Sequence, residues 1–312
     1  MLPGMKVTIV GMGKVGSTLA FALVCKSVVR EMVLLGRNQR MVQGDVLDLE
    51  HAQSFVPVPA QIRTGGVEAA AGSDIIIMCA SVPSPVVLTH RAVLGPGNVR
   101  LMRELLPPLA EGSPDAVLMM VSNPVDVLTW HAMKITGWPA ARVLGTGTLI
   151  DSARFRRMLS MEVGVHCGDL RAYILGEHGP TQFAAMSCAT AGGESIDDNP
   201  HRRELIHAAA QAGHAVHGQK GYTNFGIAMA ASAIVEAIVL NTLHTMPVST
   251  LIDGFLGVRE VCLSLPAVIG RRGIERVFYP NLNAEEVAAF RASAESVRRQ
   301  IADAEGEGGG RE

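Results

Sequence analysis

The 312-residue sequence predicts an α/β protein, a doubly wound parallel sheet followed by an α+β unit. Three observations lead there. The segments 74–80 and 116–121 are apolar without alternation, as strands of a parallel sheet covered on both faces must be. Such strands alternate with helical stretches through the first half of the chain, the pattern of successive right-handed crossovers. A glycine-rich turn, Gly11-Met12-Gly13-Lys14-Val15-Gly16, falls between the first strand and the first helix.

In order, Lys6–Val10 reads as a strand, 17–27 as a helix, 32–35 as a strand and 41–51 as a helix, with strands at 74–80 and 116–121. Near Gly145-Thr146-Gly147 the pattern changes. A helix over 149–162 leads to a strand around 170–175, then long helices over 202–219 and 224–244. Short strand-like pieces follow from 249 to 277, and an amphipathic helix closes over 284–304. These divide the chain into a dinucleotide-binding unit (1–146), a catalytic α+β unit (147–304) and a disordered tail (305–312) carrying Gly306-Glu307-Gly308-Gly309-Gly310. No internal repeat is visible.

Composition narrows the function classes. With 48% hydrophobic and 18% charged residues the chain can fill a core and does not resemble a disordered one. A net charge of -2 argues against nucleic acid or an acidic polymer as partner. Cys25, Cys79, Cys167, Cys188 and Cys262 are scattered, with no C-x-x-C pair, which points to a reducing, cytoplasmic compartment. The apolar run 7–25 is interrupted by Gly11, Gly13, Lys14 and Gly16, so it reads as strand, turn and helix. The run 225–240 contains Glu236 and reads as a buried helix, so no membrane association is expected.

The glycine turn carries the first functional inference. Its glycines allow a tight turn, close backbone approach to a pyrophosphate and close helix–strand packing, while the following helix start offers N–H groups to the anion. Strand, glycines and helix in this order make a Rossmann-type nicotinamide dinucleotide site. The second strand ends in Gly36-Arg37-Asn38 with Arg40 behind it, where a ribose-binding carboxylate is usual. No carboxylate repels a 2′-phosphate there, and two guanidinium groups can bind one. NADP is therefore expected to be accepted and favoured over NAD; in the alternative, Arg37 and Arg40 form a solvated face and NAD is used.

The second inference rests on Leu175-Gly176-Glu177-His178-Gly179, Asp151 and Arg154. A histidine titrates near neutrality and can exchange the proton of a hydroxyl as hydride leaves the same carbon. A carboxylate on its other nitrogen fixes the tautomer and stabilises the imidazolium. An arginine three residues from that carboxylate on one helix face can clamp a substrate carboxylate. Taken singly, a glycine-flanked histidine is a turn residue and an Asp–Arg pair at this spacing a surface ion pair; the joint pattern points to a 2-hydroxy acid oxidoreductase.

From about Met5 to the closing helix the chain resembles the L-lactate/malate dehydrogenase family. The resemblance rests on the glycine turn, Asp45-Val46-Leu47-Asp48-Leu49-Glu50-His51-Ala52, Val121-Ser122-Asn123-Pro124-Val125-Asp126, the run from Gly145 to Arg156, Gly176-Glu177-His178-Gly179, and Cys262-Leu263-Ser264-Leu265-Pro266. It implies His178 as proton donor and acceptor, Asp151 as its orienting carboxylate and Arg154 as substrate clamp. Asn123 becomes a contact to substrate and nicotinamide, and Arg91, in a mobile lid after 75–80, polarises the carbonyl. Thr223, Asn224 and Ile227 resemble the far wall of the substrate pocket. Ala80, Ser81, Val82, Asn98 and Val121 join Gly11 to Gly16, Gly36, Arg37, Asn38 and Asn123 on the cofactor side. Family members are usually dimers or tetramers, and the alanine-rich stretches 208–215 and 228–237 permit close helix packing without setting the number.

The chain departs from the family in the lid. Where malate enzymes usually carry an arginine and many lactate enzymes a glutamine, this chain has Ser84, followed by Pro85-Val86-Val87-Leu88. A buried second carboxylate would go unpaired there, which favours pyruvate or a larger uncharged 2-oxo acid over oxaloacetate. An inserted lid residue leaves His90, Arg91 or Arg100 able to reach the site differently, and Gly36-Arg37 resembles some NADP-using malate enzymes, so malate stays open. Arg156 and Arg171 match only in part the place where some bacterial lactate enzymes bind a phosphorylated sugar, so no allosteric control is assigned. His207, His214 and His217 read as a solvated or interface helix face in preference to a metal site, and no metal is expected. Two rivals stand: a non-catalytic dinucleotide-binding sensor, and an NAD- and metal-dependent glycosidase of the same fold.

Overall fold

The computed structural model describes residues 4–83 and 91–306. Its first half runs β1 (Lys6–Val10), α1 (Lys14–Lys26), β2 (Glu31–Leu35), α2 (Gln39–Ala52), β3 (Gln61–Thr64), β4 (Ile75–Met78), α3 (Gly95–Gly112), β5 (Val117–Met120), α4 (Val125–Thr136) and β6 (Val143–Gly145). All six strands are parallel, in the order β3-β2-β1-β4-β5-β6. The order reverses between β1 and β4, which opens a crevice at their carboxyl ends, where ligands of doubly wound sheets bind.

The strands are apolar throughout because both faces are covered. Ile75 and Ile77 enter one cluster with Leu19 and Leu23 of α1. Ile76 and Met78 enter the other with Met102 and Leu106 of α3. Each isoleucine of β4 is at most 1% exposed, a burial that stabilises by roughly 1.5–3 kcal/mol per side chain.

The second half contains α5 (Leu149–Val163), β7 (Leu170–Arg171), β8 (Ile174–Leu175), β9 (Phe183–Ala184), β10 (Thr190–Ala191), β11 (Glu194–Ser195), α6 (Pro200–Lys220), α7 (Phe225–Leu240), β12 (His244–Asp253), β13 (Arg259–Gly270), β14 (Gly273–Val277) and α8 (Ala284–Gly306). The sheet does not stop at residue 146. β12 pairs antiparallel with β6 where Ser249 faces Gly145, and β13 and β14 extend the sheet to nine strands. Glycine is required at that junction, since a Cβ on Gly145 would sit 2.5 Å from Thr129 Oγ1 and 2.9 Å from Ser249 Cβ. α7 covers one face of the sheet, with Ile234 and Ile238 in the cluster of α1; α8 covers the other, with Phe290 and Val297 in the cluster of α3.

Several boundaries differ from those the sequence implies. The segment 170–175 is two short strands, β7 and β8, parted by Ala172-Tyr173. α7 ends at Leu240, not at 244, because Asn241 turns left-handed (φ 52) and its N–H closes on Ala237 O. The pieces expected from 249 to 277 are two long antiparallel strands and a short third. α8 reaches Gly306, two residues past the expected end. Ser84, the lid up to His90, the side chain of Arg91 and the tail 307–312 lie outside the described residues. No described helix is long and apolar enough to cross a membrane.

Candidate active site

The glycine turn is built as a cradle. Gly11 adopts φ +102, and a Cβ there would lie 2.4 Å from Ala80 N; one on Gly16 would lie 2.1 Å from Gly11 O. Both glycines therefore serve close packing of β1, β4 and α1. At Gly13 nothing lies within 4 Å of where a Cβ would point, so this backbone faces open space. Gly13 is the N-cap of α1, whose first-turn N–H groups have no acceptor within the helix. Met12 is buried and Val15 packs on the core, so these two offer a ligand only their backbone. An open glycine face beside unpaired N–H groups suits the pyrophosphate of a dinucleotide.

The ribose end follows β2. Gly36 allows close packing, as a Cβ would meet Val42 at 2.7 Å, and Asn38 caps α2 by accepting from Met41 N–H at 3.2 Å. Arg37 and Arg40 are exposed and form no ion pair among the described residues. On the other side of the crevice Asn98, fully buried on α3, accepts from Val82 N–H at 2.7 Å and donates to Ser81 Oγ at 3.1 Å and to Asn123 O at 2.7 Å. It thus ties together the chain exits of β4 and β5. Ser122 Oγ adds a bond to Ala80 O at 2.6 Å, and Val121 N–H one to Met78 O at 3.0 Å. The Asn123–Pro124 peptide is cis. The buried Asn123 Oδ1 has no hydrogen-bond partner among the described residues.

The candidate catalytic side chains meet where α5 and the segment after β8 are stitched together. Thr148 Oγ1 and Ser152 Oγ donate to Ile174 O at 2.6 and 3.2 Å, and Ile174 N–H donates to Ser152 Oγ at 2.9 Å. Gly176, at φ +86, exchanges backbone bonds with Ser264 of β13. The next turn then brings His178 Nδ1 to 2.6 Å from Asp151 Oδ2, and Asp151 Oδ1 accepts from Arg154 Nη1 at 2.9 Å. Asp151 lies in the first turn of α5, where the helix end favours a negative charge. The side chains of Asp151, His178 and Arg154 are 4%, 10% and 19% exposed, so the trio is sheltered while the arginine keeps an open edge.

These three line a cavity of about 440 Å³, whose walls include Pro124, Glu177 and Gln300 of α8, and Arg203, His207 and His214 of α6. His207 and His214, exposed on α6 as residues of a solvated helix face are, also border this cavity. Thr223, Asn224 and Ile227 are not brought to this cavity among its described lining. Asn224 is buried, donates to Thr18 Oγ1 at 2.8 Å and accepts from Lys220 Nζ at 2.5 Å, so its amide is engaged in bridging α1 and α6.

Sequence reasoning passed over three side chains at this site. Asp126, buried on α4, accepts from His178 N–H at 2.7 Å and from Ser249 Oγ at 2.5 Å. An acid two residues past Asn123-Pro124 within an apolar stretch was the available signal. Glu177, also buried, accepts from Thr181 Oγ1 and from Gln300 Nε2 at 2.6 Å. No local pattern marks Gln300, which arrives on the last helix.

Comparison with known proteins agrees with this geometry. Residues 5–145 match the family model described as lactate/malate dehydrogenase, NAD binding domain, and residues 148–307 that of the lactate/malate dehydrogenase alpha/beta C-terminal domain. The chain is 37% identical over 306 residues to an L-lactate dehydrogenase of Acetivibrio thermocellus, covering 95% of this chain and 96% of that one. It is 37% identical over 313 residues to that of Moorella thermoacetica, with the same coverage. Among solved structures, the minor L-lactate dehydrogenase of Enterococcus mundtii in its ligand-bound form superposes with a TM-score of 0.91 at 29% identity, covering 96% of this chain and 98% of the other. A glycine cradle at the sheet crossover, a histidine–aspartate–arginine trio on the second half, and likeness over the whole length thus converge, and the chain belongs to the lactate/malate dehydrogenase family of oxidoreductases.

Proposed function

We propose that this protein is a nicotinamide-dependent L-2-hydroxy acid dehydrogenase interconverting a small hydroxy acid and its 2-oxo acid. The observation that carries this reading is the 2.6 Å contact of His178 with Asp151, with Arg154 on the other carboxylate oxygen, in one cavity. A bound nicotinamide supplies or accepts the hydride. Arg154 holds the substrate carboxylate by paired charge-assisted bonds. With Nδ1 turned to Asp151, Nε2 of His178 carries the exchanging proton, and Asp151 stabilises the imidazolium. Arg91 is assigned to polarise the carbonyl, and Asn123 Oδ1 to contact substrate and nicotinamide. Residues 1–146 serve the cofactor, and 147–304 the substrate.

For the finer points, NADP is preferred over NAD, supported by the exposed pair Arg37 and Arg40 and by the lack of an acid after β2. Pyruvate, or a larger uncharged 2-oxo acid, is the substrate, supported by Ser84 and its apolar neighbours in the sequence. One observation favours the malate reading instead: the cavity wall carries Arg203, which also pairs with Asp198, and the imidazoles of His207 and His214, all donors that a second carboxylate could meet. The protein works as a homo-oligomer in a reducing, cytoplasmic setting. Support comes from its five free thiols and from exposed Phe21, Met41, Phe225 and Met229 on α1, α2 and α7, with Phe21 and Phe225 sharing one groove.

The test is initial rates of NADPH and NADH oxidation with pyruvate and oxaloacetate side by side. Preferred turnover of pyruvate with NADPH is expected. A strong oxaloacetate preference transfers the assignment to the malate reading, and cofactor binding without turnover of any 2-oxo acid overturns the enzyme reading in favour of a sensor.

A further inference from the structure

We propose that Asp126 is a second carboxylate of the proton-transfer histidine, a positioning residue that holds His178 by its backbone N–H and supports the imidazolium through its negative charge. This rests on the role given to His178 above.

The geometry is close and one-sided. Asp126 is 3% exposed on the first turn of α4, and its two oxygens divide between two elements. Oδ2 accepts from His178 N–H at 2.7 Å, and Oδ1 accepts from Ser249 Oγ at 2.5 Å; Ser249, on β12, is itself fully buried. No lysine or arginine pairs with Asp126 among the described residues. A buried carboxylate satisfied only by neutral donors is costly, and such groups persist where their charge has a use. Among the described residues, the one group able to become cationic beside it is His178. Burial pushes the Asp126 carboxyl up to about 6, against the pull of the Ser249 and His178 bonds and the attraction of the imidazolium, with the Glu177 charge adding to the rise. A fixed negative charge held this close favours a cation formed on the ring, which is the charge the proposal assigns to Asp126.

Among the described residues, the groups around His178 include Asp151 and Arg154 on α5, Glu177 in its own turn, Gln300 on α8, and Arg203, His207 and His214 across the cavity on α6. Around Asp126 stand Ser249, Glu177 and Cys262 of β13, whose thiol is pushed well above its ordinary value first by burial and then by the Asp126 charge. Only Asp151 and Asp126 bond directly to His178 among these, one on the ring and one on the backbone. Asp151 selects the tautomer; Asp126 fixes where the ring is carried and adds charge from behind.

The experiment is NMR titration of the His178 ring in the full-length protein, its signal assigned by its loss in His178→Gln, together with the pH profile of 2-oxo acid reduction. Asp126→Asn keeps an acceptor for His178 N–H and removes the charge. Its His178 pKa is expected to fall by about half a unit or more. The alkaline limb of kcat/KM for the 2-oxo acid should move to lower pH by the same amount, with cofactor KM unchanged. A purely structural role would lower activity at all pH values and leave the His178 titration in place. Ser249→Ala provides a second route: losing its donor, Asp126 becomes harder to ionise, and the His178 pKa should again fall. An unchanged His178 pKa in Ser249→Ala and in any folded Asp126→Asn overturns the proposal. Because the ring titration needs no turnover, a shift seen in a protein inactive on every 2-oxo acid would keep this inference and overturn the functional reading alone.

Discussion

His178 and Asp151, 27 residues apart in the chain, are joined Nδ1 to Oδ2 at 2.6 Å, and the carboxylate oxygen not facing the ring is taken by Arg154. The ring therefore has one orientation and one tautomer available for proton exchange. His178→Ala is expected to lower kcat about 10²–10⁴-fold, the usual worth of a positioned acid–base, while NADPH binding measured by fluorescence stays near wild type. Asp151→Asn should keep the contact but favour the wrong tautomer, and should lose a comparable factor. Near-normal turnover in either variant contradicts the assignment.

Arg154 has a fork to offer once a substrate arrives, and lysine does not. Arg154→Lys preserves the charge near Asp151 but removes the paired geometry. The KM for the 2-oxo acid should rise about 10–100-fold, from the loss of a charge-assisted bond, with cofactor affinity intact. Steady-state kinetics at saturating cofactor read this directly, and an unchanged KM would place the carboxylate elsewhere.

The glycines of the first turn separate packing from binding. At Gly16 a Cβ would lie 2.1 Å from Gly11 O, so Gly16→Ala should lower Tm by several degrees, as overpacking costs about 1–3 kcal/mol. At Gly13 a Cβ meets nothing, and the residue has φ -89, which alanine accepts. Gly13→Ala should therefore keep its Tm while weakening dinucleotide binding about tenfold or more, since the methyl enters the space assigned to the pyrophosphate. Equal cofactor affinity in Gly13→Ala would mean that the cradle is not where the phosphates lie.

The proposed preference for NADP rests on Arg37 and Arg40. Replacing both with alanine should lower kcat/KM for NADPH about 10–100-fold and leave NADH nearly unchanged, because only NADPH carries the 2′-phosphate. A parallel change for both cofactors would show that the two arginines form a solvated face.

Two buried groups give stability opposing slopes in acid. Burial raises the Asp126 carboxyl to about 6 from an ordinary 3.8, so the folded protein holds its proton longer than the unfolded chain does. This contribution falls as pH rises from about 4 to about 6. His131, buried beside Arg103, is pushed down to about 4 by desolvation and then by that charge, so its contribution rises over about pH 4 to 6.5. Each is worth up to about 3 kcal/mol. The Tm gain between about pH 4.5 and 6.5 should therefore be larger than wild type in Asp126→Asn and smaller in His131→Leu. Identical gains in all three would remove both groups from the acid response.

The chemical parts were legible in the sequence because each is carried by a short run. Val7 to Gly16 contains strand, cradle and helix start in sequence, and the both-face apolar character of Ile75-Ile76-Ile77 reports a covered sheet. Asp151 and Arg154 share a helix face by spacing alone, and the histidine follows a strand that presents it. The length of β12 was not legible: its pairing with β13 is made by backbone bonds, which carry no side-chain pattern, and its first residues are exposed.

By itself, then, the sequence determined the doubly wound half and marked the glycine turn and the candidate trio of Asp151, Arg154 and His178, since local spacing and residue chemistry are enough for each. Only the tertiary structure decided that Ser249 lies against Gly145 and makes one sheet of two halves, that Asp126 holds the backbone of His178, and that Gln300 reaches Glu177 from the last helix. Those contacts join residues 52 to 123 positions apart, and only the packing of helices on both faces of one sheet brings them within a hydrogen bond.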